Sequence, residues 1–201
     1  MEGIVKILHT TIILLVVSVL IVAQTEHLGQ HVYYNSEGGI NMAVDAGLAV
    51  QRLDSPYVGF ALYVGGDEGV NATINRKDVI LIYNGQEYHM PDIKTFRSEY
   101  RFDVRDQRYY DTFAGGIESL IGSYMRLYEF QWNLDFFPTR SSGKLVTDEI
   151  SLSPHIAMIT GAYFKNPGFK VGDTFVIKVT DKNNPSISGS CAVELKEVKK
   201  R

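Results

Sequence analysis

The chain has 201 residues, 45% of them hydrophobic and 21% charged, with a net charge of -3. That length fits one domain, and the apolar share suffices for a packed core, which excludes a disordered chain. The slightly acidic balance excludes a general nucleic-acid binder, whose domain would be strongly basic, so any anion binding has to be local.

The opening stretch, MEGIVKILHTTIILLVVSVLIVAQTE, sets Lys6 before an unbroken apolar run from Ile12 to Ala23. Such a run suits the hydrophobic region of a signal peptide and falls short of the roughly 20 residues of a spanning helix. Counting back to Ile7, across His9, gives the alternative of a retained membrane anchor over residues 7–23. The expectation is an exported protein, periplasmic or extracellular. Residues 1–23 read as signal peptide or anchor, 24–39 as a flexible leader, and 40–198 as a single domain. His27 and His31 have the spacing of a metal pair, but two ligands do not make a site, and no metal or cofactor is expected. Cys191 is the only cysteine, so no intramolecular disulfide can form. Its alternation with Val193 and Leu195 points the thiol inward.

From about residue 40 the pattern is one of strands between Gly, Asn and Pro turns. INMAVDAGLAVQRL steps Ile40, Met42 and Val44 onto one face before Gly47 permits a bend, and YVGFALYV (57–64) is a short apolar strand. DVILIYNGQEYHM is the clearest hairpin: Val79, Leu81 and Tyr83 alternate, Asn84-Gly85 favours a type I′ turn, and Tyr88 and Met90 resume the alternation. Pro91 then ends the strand and Asp92 is placed as a helix N-cap.

The segment DIKTFRSEYRFDVRDQR follows, with Lys94, Arg97, Arg101, Arg105 and Arg108 three or four positions apart. On a helix these cations fall within a sector of roughly 60°. Ile93, Phe96, Tyr100 and Val104 make an apolar stripe beside them that would dock on a sheet, and Asp92, Glu99, Asp103 and Asp106 gather on its other flank. Arg97–Arg101 and Arg101–Arg105 are like-charged pairs at i,i+4, each costing a few tenths of a kcal/mol in an isolated helix. Their compensation must come from the fold, from water or from an anionic partner. Arginine stems also cover apolar surface while their heads meet acids elsewhere, which is the simpler reading of such a ridge.

MRLYEFQWNLDFFP (125–138) reads as a strand, with Tyr124 (just before it), Tyr128, Phe130, Trp132, Leu134 and Phe136 on its core face and Glu129, Gln131, Asn133 and Asp135 on its wet face. Were the aromatic row exposed, it would be a stacking platform for sugar rings. Glu129 and Asp135 on a regular strand would be about 20 Å apart, beyond the roughly 5–9.5 Å of paired glycosidase carboxylates. Glu87 and His89 share a strand face near Asp92, a conceivable base–acid pair without a neighbouring nucleophile. The C-terminal third offers TDEISL, IAMITGAYF, TFVIKVT and GSCAVELK, the last two reading as a closing hairpin around DKNNPSIS.

The expected fold is therefore mainly β, an immunoglobulin-like antiparallel β-sandwich with a helical insertion near residues 92–122. Its expected function is that of an exported, non-catalytic binding or assembly protein of the bacterial cell envelope or surface. The expected partner site is Lys94, Arg97, Arg101, Arg105 and Arg108, facing an anionic glycan, a lipid headgroup or an acidic protein surface. No nucleic acid is expected, and a membrane is met only through an uncleaved N-terminal segment. The alternatives are a carbohydrate-binding module, which needs exposed aromatics around Trp132, and an exported hydrolase built on Glu87, His89 and Asp92. Fold alone does not choose among them.

Overall fold

The structure, a computed structural model, describes residues 25–100, 106, 119–138 and 142–197. It is mainly β, with several sheets. The first half of the chain forms β1 (Glu26–Gly29), β2 (Val32–Asn35), β3 (Ile40–Asp45), a short helix α1 (Gly47–Gln51), β4 (Tyr57–Gly66), β5 (Ala72–Asn75), β6 (Val79–Tyr83) and β7 (Gln86–His89). Helix α2 (Ile93–Glu99) follows. The second half forms β8 (Glu129–Gln131), β9 (Leu134–Asp135), β10 (Leu145–Val146), β11 (Glu149–Leu152), β12 (Ile156–Lys165), β13 (Thr174–Thr180) and β14 (Ser188–Glu194).

Among the described residues, one six-stranded sheet runs β1-β2-β3-β4-β12-β8 and one four-stranded sheet runs β14-β13-β6-β7, with β11-β5 and β10-β9 as separate pairs. The long strands β4 and β12 lie at the heart of the larger sheet, antiparallel from Tyr57 opposite Lys165 to Gly65 opposite Ala157. β4 is buried along its whole length, which is why it reads as a nearly continuous apolar run instead of an alternating one.

Each face of this sheet has its own core. Phe60, Leu62 and Val64 of β4, with Ile40, Met42 and Val44 of β3, share a buried cluster with Val79, Leu81, Ile177, Val179, Cys191 and Val193 of the smaller sheet. On the opposite face Ala43, Ala61, Tyr63, Ala157 and Ile159 are covered by Ile121, Met125, Tyr128 and Phe130. Fully burying a side chain of this size is worth about 1.5–3 kcal/mol, so these two clusters dominate the stability of the fold.

Strand β14 joins the two larger sheets by polar contacts as well as by packing. Tyr33 Oη donates to Glu194 O (2.8 Å) and Asn35 Nδ2 donates to Ser190 O (2.9 Å). Ala192 N–H donates to Thr25 Oγ1 at 3.0 Å.

Several expectations meet the structure directly. The β6–β7 hairpin turns at Asn84 and Gly85 with φ of 51° and 75°, the left-handed pair a type I′ turn requires. β13 and β14 form the closing hairpin, and Cys191 is buried. In the turn between them Asp181 Oδ1 accepts from Thr73 N–H (2.7 Å) and its Oδ2 from Asn184 N–H (2.9 Å).

Three local readings change. The stretch 24–39, read as a flexible leader, supplies β1 and β2, because Val32, Tyr33 and Tyr34 are buried and must pack on the sheet. Helix α2 stops at Glu99, with Tyr100 extended; of the expected helical insertion, residues 93–99, 106 and 119–121 are helical, 92, 100 and 122 are not, and 101–105 and 107–118 lie outside the described residues. The strand expected over 125–138 is broken after Gln131. Its aromatic row splits, with Tyr128 and Phe130 packed on the outer core and Phe136 in the inner one.

Candidate functional site

Helix α2 is set by its two ends. Pro91 cannot continue the ladder of β7, and Asp92 takes extended backbone angles as N-cap. Its Oδ1 accepts from Lys94 N–H and Thr95 N–H, both at 2.9 Å, and its Oδ2 from Thr95 Oγ1 at 2.6 Å. The Thr95 side-chain and backbone bonds hold the Asp92 carboxyl below its ordinary pKa. At the far end Tyr100 turns extended, and its buried ring takes the helix off its axis.

The apolar stripe of α2 docks as its spacing requires. Phe96 is fully buried, its ring 4.7 Å from that of Phe137, 4.8 Å from Tyr163, 5.2 Å from Tyr57 and 5.3 Å from Tyr100. Beneath this aromatic seat runs a polar network. Tyr57 Oη donates to Glu99 Oε2 (2.6 Å), and Tyr100 Oη donates to Asp106 Oδ2 (2.7 Å). Arg52 Nη2 donates to Tyr100 Oη (3.2 Å), and Arg52 Nη1 stands 3.9 Å from Asp106 Oδ1.

This network sorts the charges of the segment. The acids Asp92, Glu99 and Asp106 all accept hydrogen bonds from the protein itself, Asp106 from within the fully buried interior. Lys94 and Arg97 face solvent, and neither makes an ion pair or hydrogen bond through its side chain among the described residues. The remaining three cations of the ridge, Arg101, Arg105 and Arg108, lie outside the described residues. The helical part of the ridge is thus Lys94 and Arg97, one turn apart.

The proposed base–acid group does not assemble. Glu87 and His89 are exposed on the edge strand β7, with His89 Nδ1 3.4 Å from Lys77 O, while both oxygens of Asp92 are engaged in the cap. A general acid would need its carboxyl raised toward neutrality, whereas that of Asp92 is lowered.

Glu129 and Asp135 also part company. Glu129 is exposed, while Asp135 is buried and works as a structural acceptor. Its Oδ1 takes Thr160 Oγ1–H (2.8 Å), Phe137 N–H (2.9 Å) and Gly161 N–H (3.1 Å), and Lys144 Nζ lies 3.4 Å from its Oδ2. His27 stacks on Tyr33 with ring centres 4.8 Å apart. Among the described residues no cluster of three or more His, Cys, Asp or Glu side chains is arranged to hold a metal ion. No described helix is long and apolar enough to cross a membrane.

A second surface feature escapes the periodicity of the sequence. Trp132, in the break between β8 and β9, is 48% exposed, and Lys144 Nζ stands 6.0 Å from the centre of its ring. Leu145, bonded through its N–H to Asn133 O (2.8 Å), is 64% exposed beside it. Lys144 enters from a Ser-Gly turn ten or more residues later, so only the fold brings it to the indole. No known protein family, curated protein or solved structure gives a significant match to this chain.

Proposed function

We propose that this chain is an exported, non-catalytic binding or assembly protein of the bacterial cell envelope or surface, which meets an anionic partner along the outer edge of α2. The observation that carries the reading is the sorting of charge around that helix. Its acids are turned to internal donors while Lys94 and Arg97 are left to solvent, so the edge is positive although the chain as a whole is acidic. Arg101, Arg105 and Arg108 extend the same charge along the sequence. Arginine grips carboxylate or phosphate in bidentate fashion, which suits acidic glycans, lipid headgroups and acidic protein surfaces alike.

For the architecture we propose a two-layer β-sandwich, supported by the single cluster that the two larger sheets share. The immunoglobulin likeness is one of layer packing: β1 to β4 follow one another as a meander, whereas immunoglobulin sheets interleave strands distant in sequence. The apolar N-terminal run supports export, either as a cleaved signal or as an anchor over residues 7–23.

The test is binding of the full chain to vesicles of anionic or zwitterionic lipid and to an acidic polysaccharide, at low and high salt. The expected result is salt-sensitive binding to an anionic probe that Lys94→Glu with Arg97→Glu weakens and Arg101→Glu with Arg105→Glu weakens further, with the folded state retained. Wild-type protein that binds none of these probes at low salt removes the reading.

A further inference from the structure

We propose that Trp132 and Lys144 form a subsite for an acidic sugar, a pyranose ring carrying a carboxylate. This site is separate from the cationic edge of α2, and either can stand without the other.

The indole offers what a sugar ring needs. A π face is negative and the axial C–H bonds of a pyranose are weakly positive, so the two stack. Trp132 is held in the break between β8 and β9, with Phe130 6.3 Å away on one side.

Lys144 decides the charge of the ligand. Its ammonium lies between the indole and Asp135, 6.0 Å from the ring centre and 3.4 Å from Oδ2. Asp135 cannot drift, because three donors fix its other oxygen. The ammonium is therefore positioned, and among the described residues Asp135 is the only acceptor for its three N–H groups. A flat apolar partner laid over Trp132 and Leu145 would strip water from that partly bonded cation at a cost. A carboxylate on the stacked sugar supplies the missing acceptor instead.

Trp132 is the only tryptophan of the chain, so tryptophan emission, excited where tyrosine does not absorb, reports this site alone. The full chain is titrated with hexagalacturonate and with cellohexaose, a neutral oligomer of the same length. The expected result is a saturable change in emission with hexagalacturonate and a weaker one with cellohexaose. Lys144→Gln should weaken the acidic oligomer by about fivefold, the scale of one partly exposed ion pair, and leave the neutral one unchanged. Trp132→Ala should abolish binding by calorimetry, with Trp132→Phe restoring part of it, while thermal melts show both variants folded. Equal affinity for the two oligomers, or no change in emission with hexagalacturonate up to about 10 mM, overturns the proposal. So does an emission shift on simple dilution without sugar, because a second copy of the chain would then be what covers the indole. The Lys94 and Arg97 variants should bind hexagalacturonate at Trp132 like the wild type, which separates this outcome from the fate of the α2 edge.

Discussion

The ring of Tyr163 occupies the space that a side chain on Gly59 would need. The two residues are partners across β4 and β12, and a Cβ at residue 59 would stand 2.6 Å from Tyr163 Cε1 and 2.9 Å from Leu48 Cδ2. The same strands pair Gly65 with Ala157 and Ala61 with Gly161. Aromatic rings stand over two glycines of β4, Tyr163 over Gly59 and Tyr128 over Gly65. Tyr163 in turn forms part of the seat of α2, so a glycine in a central strand fixes the position of a surface helix.

Gly59→Ala should therefore destabilise the protein by overpacking alone, since Gly59 has no left-handed φ to protect. The expected cost is about 1–3 kcal/mol, read as a lower denaturant midpoint with an unchanged slope. An unshifted midpoint would mean that Tyr163 can move aside freely.

Asp135 takes over the edge of β12 that β8 leaves uncovered. β8 pairs with β12 only from Ile156 to Met158, and beyond that point Gly161 N–H turns to the Asp135 carboxylate. Asp135→Ala would leave the buried donors of Phe137, Thr160 and Gly161 without their acceptor, at an expected cost of about 2–4 kcal/mol. Asp135→Asn keeps one oxygen for them and should cost less. Urea unfolding of the two variants side by side checks the order, and equal costs would contradict this role.

The parts of this fold that the sequence made legible are those with a local physical signature. Asn84-Gly85 announces its hairpin because few residue pairs accept two left-handed conformations, and Asp92 announces a helix because the residues behind it cannot cap themselves. What stayed hidden depends on contacts distant in sequence. The break at Trp132 leaves no mark in the alternation from Tyr128 to Phe136, because both halves of the row pack on a core, only on different ones. β1 and β2 are short, and their burial follows from pairing with β3 and from contacts with β14. At the site, the cations of α2 were visible as a ridge. The internal use of Glu99 and Asp106 was not, since it needs Tyr57 and Arg52 from some fifty residues upstream.

Alkaline pH should loosen the molecule through three tyrosines. Burial, with a smaller effect of the nearby Glu194 charge, pushes Tyr33 up to about 12 against a bond to the Glu194 backbone. Burial and the hydrogen bond to Glu99 push Tyr57 up to about 12, and burial and the bond to Asp106 do the same to Tyr100. The ordinary value is 10.0, so the unfolded chain releases these protons first as pH rises. Their stabilisation is thus complete below pH 10.0 and is lost progressively between there and about 12. Phenolate absorbance should show these three ionising late and together with loss of tertiary structure. Early, reversible ionisation in a folded chain would refute the assignment.

The seat of α2 and its outer edge should come apart under mutation. Phe96→Ala removes a fully buried ring from contact with four others and should cost about 3–5 kcal/mol. Tyr100→Phe keeps the packing but withdraws the O–H from buried Asp106, for about 1–3 kcal/mol. Arg97→Glu touches neither, because Arg97 is exposed and its side chain makes no ion pair or hydrogen bond among the described residues, and stability should stay within about 0.5 kcal/mol. Anion binding should sort the variants differently at temperatures where every variant is folded: Arg97→Glu weakens it most, and Tyr100→Phe least. If Arg97→Glu destabilised the fold as Tyr100→Phe does, the guanidinium would be serving an internal acid, and the α2 edge would lose its claim as a partner surface.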